Sequence, residues 1–138
     1  MSMGGDFYAI TDGQLARLLD GELPYSRFFH GAGDEQPREC FSQAEHLWHE
    51  LSQVLIAENA CGANVTEEIP EMCGYSSSED VARTAAMLEQ LDAASIEQRC
   101  ARADLEEMIP EILPAVQGLT AFYRRAADNG DAVLFHVT

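Results

Sequence analysis

The stretch AFYRRAADNGDAVLFHVT, Ala121 to Thr138, holds a helix end, a stop signal and a strand in one run. Phe122, Tyr123 and Ala126 continue an apolar spacing of 3.6 that extends back through Leu119 and Val116, so the run begins inside an amphipathic helix, with Pro114 expected in its first turn. Asn129-Gly130 closes that helix, because one of the two takes the left-handed conformation needed at a helix C-terminus. AVLFHV, Ala132 to Val137, then reads as a strand, apolar on both faces. Such a strand needs a hydrogen-bonding partner. The matching run of strand formers is FYAI, Phe7 to Ile10, and pairing the two locks both ends of the chain into one small sheet packed by helices.

The sequence between these ends reads mostly as helices. Thr11 and Gln14 spell a capping box before Leu15, Leu18 and Leu19, with Asp20-Gly21 as the stop. Gly21 to Pro37 reads as a loop, pinned to the core by Phe28 and Phe29. Ser42 and Glu45 form a second box, opening a central helix through Leu47, Trp48, Leu51, Val54 and Leu55 to about Glu58. Asn59 to Tyr75, with Gly62, Pro70 and Gly74, reads as a long acidic connection, a length that is usually functional or mobile. Serines 76 to 78 cap a helix buried through Val81, Thr84, Ala85, Leu88 and Leu91. Ser95 is expected to cap a shorter helix through Ile96, Arg99 and Cys100, and Asp104 with Glu107 to start another carrying Leu105, Met108 and Ile109. The expectation is a single α+β domain over residues 1–138, with a small sheet including the N- and C-terminal strands and about five helices.

Charge is the compositional feature with a direction. The 138 residues carry 24 acidic and 8 basic side chains, net −16, and no Lys is present. The surplus is regional: residues 1–57 sum to −6, residues 58–111 to −10 and residues 112–138 to zero. Phosphate backbones need cationic contacts, so direct nucleic-acid binding is disfavoured and a basic protein partner favoured. The apolar stretches are too short to span a membrane, and the opening MSMGGDFYAITD has neither the basic nor the apolar region of a secretory signal, so a cytoplasmic location is expected. Cys40, Cys61, Cys73 and Cys100 match neither a redox pair nor a zinc knuckle and read as reduced thiols.

Candidate chemistry is sparse. His46 and His49 in EHLWHE stand three apart on a helix, close enough to share a metal but not in the H-E-x-x-H arrangement. Structural or solvated imidazoles are the simpler reading, so no metal or cofactor is assigned. His136 reads as a core or edge histidine. Arg124 and Arg125 suit anion binding, but the simpler reading is structural, cations near a helix C-terminus that offset its dipole while pairing with Asp128 or acidic loops. Gly4-Gly5 lacks the Lys and the strand-to-helix placement of a phosphate loop, and no G-x-S-x-G, H-R-D or Cys-His signature occurs. No catalytic residue is therefore assigned.

The chain resembles the YfbM-like family of small bacterial proteins, a domain of unknown function. The carrying segments are MGGDFYAITDGQLARLLDG, AEHLWHEL, GYSSSEDVARTAAMLEQLD and, most specifically, AFYRRAADNGDAVLFHVT. The resemblance implies an α+β fold and brings no catalytic residues with it.

The simpler reading of this charge is a solvated acidic face that promotes solubility; the functional reading is an acidic protein-binding module, in its sharpest form a cytoplasmic immunity protein that neutralises a basic bacterial toxin such as a nuclease effector. The expected contact residues are Glu67, Glu68, Glu71, Glu79 and Asp80, in or beside the long connection. The alternatives are a small-molecule- or metal-dependent enzyme using His46 and His49 or the Arg124 and Arg125 region, and a homo-oligomeric structural protein.

Overall fold

The structure is a computed structural model in which residues 5–22, 39–41, 47–58, 64–66 and 72–137 are described. The terminal strand lies in the middle of the sheet. Strands β1 (Gly5–Ile10), β2 (Glu39–Phe41), β3 (Asn64–Thr66), β4 (Met72–Ser76) and β5 (Ala132–Val137) are ordered β2-β1-β5-β4-β3, and every pairing is antiparallel. The anticipated pairing of first and last strands is present, with Phe7 opposite Phe135 and Ile10 opposite Ala132. A central strand is covered on both faces, which is why AVLFHV is apolar but for His136 and buried from Ala132 to His136.

Alternation along the strands sorts their side chains into two cores. Phe7, Ala9, Val133 and Phe135 join the larger core, built with helices α2 (Trp48–Val54), α3 (Ser78–Glu89), α4 (Ala93–Arg102) and α5 (Ile109–Asp128). Ile10, Ala132 and Leu134 join a smaller one with Leu15 and Leu18 of α1 (Asp12–Leu19). The sheet is therefore a middle layer. Phe7 is the hub of the larger core: its ring centroid lies 4.6 Å from Phe135, 6.1 Å from Phe41 and 6.5 Å from both Phe122 and Tyr123, linking β1, β5, β2 and α5. His136 is buried in the central strand, in register with Asp6.

Local signals account for most helix boundaries. The Thr11–Gln14 capping box forms reciprocally, each side chain bonding the other's backbone N–H at 3.0 Å. The end of α5 is a Schellman motif: the Asp131 N–H donates to the Ala126 carbonyl at 2.8 Å and the Gly130 N–H to Ala127 at 3.1 Å, with Gly130 at φ 68°.

Several expectations need correction. The connection from 59 to 75 is not all loop, because β3 and β4 pair within it, and Glu39–Phe41 adds an edge strand that was not anticipated. Asp92, not Ser95, caps α4 and accepts the Ser95 N–H at 2.8 Å; the earlier start places Ala93 and Ala94, strong helix formers, in the first turn. Asp104 starts no helix: it stands at φ 59° beyond the end of α4, and a short 3-10 turn, Glu106–Met108, leads into α5. Pro110 takes the first turn of α5, leaving Pro114 inside it, on the exposed side where the Pro110 carbonyl that loses a donor can be solvated. The central helix is described from Trp48, so the Ser42–Glu45 box lies outside the described residues. Among the described residues, no helix is long and apolar enough to cross a membrane.

Candidate functional site

Two helix starts meet at the acidic position singled out from the sequence. Ser77 caps α3: its hydroxyl accepts the Asp80 N–H at 3.3 Å and lies 3.2 Å from Asp80 Oδ2. Asp12, in the first turn of α1, accepts the Ser78 N–H at 3.0 Å and also the Ser78 hydroxyl. Carboxylates here are favoured by the positive ends of both helices; Asp12 joins α1 to α3, while Asp80 stays within the first turns of α3. Arg83 lies 3.3 Å from Asp80 across one helical turn. Asp80 and Asp12 thus have structural work, while Glu79 stands exposed beside them. Of the five expected contact residues, the structure brings Glu79 and Asp80 onto one turn; Glu67, Glu68 and Glu71 fall between β3 and β4, outside the described residues.

A second acidic group follows α4, and sequence reasoning did not select it. Asp104, Glu106, Glu107 and Glu111 are all exposed, as is Glu97 on α4 itself. Leu105, Met108 and Ile109 pack against the larger core between them, so the intervening acids are held outward. The signal was present in DLEEMIPE, where apolar anchors and carboxylates interleave. Glu58 is the opposite case. It contributes to the −10 of residues 58–111, yet it is only 4% exposed.

Among the described residues, Arg83, Arg99, Arg124 and Arg125 pair with carboxylates of the same chain, while Arg102 is exposed without an ion pair. Arg99 of α4 binds both oxygens of Glu58, with Nη2 to Oε2 at 3.0 Å, and donates to the Val54 carbonyl at 3.0 Å. This partner and its charge hold the Arg99 guanidinium above its ordinary pKa. Arg124 lies 3.4 Å from both Glu89 and Asp128. Arg125 reaches Glu39 on β2, Nε lying 2.9 and 3.1 Å from its two oxygens. Arg125 is thereby held closely by Glu39 and Arg124 more loosely by Glu89 and Asp128; Glu39 and Glu89 come from elements distant in sequence.

Other candidate chemistry finds little geometry. His49 is exposed, its Nε2 3.4 Å from the Gln53 amide nitrogen, and His46 lies outside the described residues. Among the described residues, no three of His, Cys, Asp and Glu group as metal ligands. Partial burial and the nearby Asp6 push the Cys40 thiol up to about 11, and burial with Glu97 raises Cys100. Both thiols are therefore protonated at neutral pH, the inert form for nucleophilic attack.

A family model described as Domain of unknown function (DUF1877) matches residues 1–136. The chain belongs to this family. Its fold is shared with a solved structure described as a protein of unknown function, YfbM from Escherichia coli, at a TM-score of 0.68 and 18% identity, over 98% of this chain and 99% of that one. At that identity the similarity is one of fold, and fold alone assigns no activity. No curated protein matches the chain. In this DUF1877 member, the family-like block from Ala121 to Thr138 supplies the end of α5 and the central strand, so the most specific resemblance falls on the architectural centre of the sheet.

Proposed function

We propose that the chain is an acidic protein-binding module, a cytoplasmic immunity protein that captures and neutralises a basic bacterial toxin such as a nuclease effector. One observation carries this reading. Among the described residues Arg83, Arg99, Arg124 and Arg125 are each held by a carboxylate of the same chain, while Glu79, Glu97, Asp104, Glu106, Glu107 and Glu111 make no ion pair. Among the described residues these exposed acids outnumber the exposed cation without an ion pair, Arg102, so the described surface carries a negative excess. A field of that sign accelerates encounter with a cationic protein and opposes nucleic acid, while contact with the basic cleft of a nuclease would let carboxylates stand where phosphates bind.

The test is capture from the native host at low salt, followed by an activity assay on what is retained. The expected result is a strongly basic toxin inhibited at stoichiometric ratio, with an association rate that falls steeply with ionic strength and a dissociation rate that changes little. Reversal of Glu79 and Glu107 to Lys should slow association several-fold. Recovery of no basic protein, or of one whose activity the chain leaves untouched, overturns the reading.

A further inference from the structure

A groove of about 290 Å³ opens where the end of α3, the start of α4 and the middle of α5 meet. The buried side chains of Leu88, Ile96 and Val116 lie beneath it, and the half-buried Leu91 and Leu113 flank it. Glu89 and Asp92 are the charged residues of its lining, which includes no Arg. The volume falls just below the roughly 300–1,000 Å³ of pockets that enclose drug-sized ligands, so the space suits one or two side chains of a larger partner.

We infer that this groove receives an Arg or Lys side chain, with a neighbouring apolar residue, from the basic partner; the inference rests on the functional reading above. Charge complementarity selects the occupant. A long basic side chain lays its methylenes on leucine surface while its head group seeks an anion, and this lining offers both within one concavity. Each carboxylate can take that contact. Glu89 is held by Arg124 only at 3.4 Å, between side chains that are 41% and 54% exposed, a pair weak enough to exchange. Asp92 accepts the Ser95 backbone N–H at 2.8 Å and is also hydrogen-bonded by the Ser95 side chain, and a carboxylate has about four acceptor sites, so the helix cap still leaves capacity for an incoming cation. The surrounding negative field brings the cation to the surface; the apolar walls decide where it stays.

The test uses the full chain labelled with ¹⁵N and two blocked hexapeptides, one alternating Arg with Leu and one alternating Arg with Gly. The Leu-containing peptide should shift amide signals of residues 88–96 and 113–120 and bind at least tenfold more tightly than its Gly counterpart. Gln117→Lys, which places a cation on an exposed position of the lining, should weaken it at least fivefold, as should the pair Glu89→Gln and Asp92→Asn, in which Asn preserves the cap. Equal binding of the two peptides, or shifts centred on residues 104–111, would overturn the inference. So would undiminished capture of a basic toxin by Gln117→Lys, which leaves the immunity reading intact. Peptide binding in the groove with no basic toxin recovered would instead overturn the functional reading and uphold the chemistry of the groove.

Discussion

Arg99 and Glu58, 41 positions apart in the chain, form a two-pronged ion pair that joins α4 to the 3-10 turn Ile56–Glu58 following α2. The Glu58 side chain is 6% exposed and that of Arg99 27%, so the carboxylate depends on the guanidinium to offset its desolvation. Thr84 of α3 donates to the Glu58 backbone carbonyl at 2.9 Å, fixing the same residue from a third element.

Removing only the cation should therefore cost more than removing both charges. Arg99→Met leaves an uncompensated, buried carboxylate and is expected to destabilise the fold by about 3 kcal/mol, the low end for a broken buried pair because Arg99 is partly exposed. Adding Glu58→Leu to that variant should recover at least about half of the loss. Urea unfolding of the two single variants and the double one measures this, and additive losses would show that the two side chains act independently.

Backbone conformation predicts opposite signs at three exposed positions. Gly13 lies inside α1, where an added Cβ meets only Thr11 Oγ1 at 3.8 Å, so Gly13→Ala should stabilise by about 0.5–1 kcal/mol. Gly130 stands at φ 68°, and Gly130→Ala should destabilise by about 1 kcal/mol although nothing surrounds the new methyl group. Asp104 adopts φ 59° without being glycine, so Asp104→Gly should stabilise despite removing a side chain. Thermal unfolding of the three variants reads the signs directly.

Acid should loosen α4 from its N-terminus. Backbone and side-chain hydrogen bonds from Ser95 lower the Asp92 carboxyl below its ordinary value of 3.8. A depressed folded-state value means that the stabilisation is fully present above about 3.8 and is lost as pH falls through the lowered value. Asp92→Asn keeps an N-cap without a titrating group, so its melting temperature should fall less between pH 5 and pH 2 than that of the parent chain. Identical acid profiles would remove Asp92 from the account.

The parts of the fold that were legible are those specified within a few residues. Thr11 with Gln14, Asn129 with Gly130, and the stripe from Val116 to Ala126 each state their structure locally, and the β1–β5 pair followed because two strong strand runs needed partners. β2 and β3 are three residues each, too short for alternation to register, and β4 contains Gly74. From the sequence, Ser95 reads as the cap of α4 in place of Asp92 because both are good capping residues; the helix-forming alanines between them favour the earlier start. At the candidate site, Glu79 was legible as an exposed acid of a first turn. The burial of Glu58 was not, since its partner Arg99 is brought close only by tertiary packing. The acids from Asp104 to Glu111 entered the charge count, but their outward placement depends on Leu105, Met108 and Ile109 anchoring the turn.

The place of β5 at the centre of the sheet also orders events during translation. β1 and β4 both pair with a strand made after every other described element, so neither can complete its ladder until residues 132–137 have left the ribosome. At about 5–20 residues per second, β1 waits roughly 6–25 s for this neighbour, with Phe7 and Ile10 lacking their β5 partners meanwhile. Nascent chains of this protein are therefore expected to depend on ribosome-associated chaperones far more than the finished domain does.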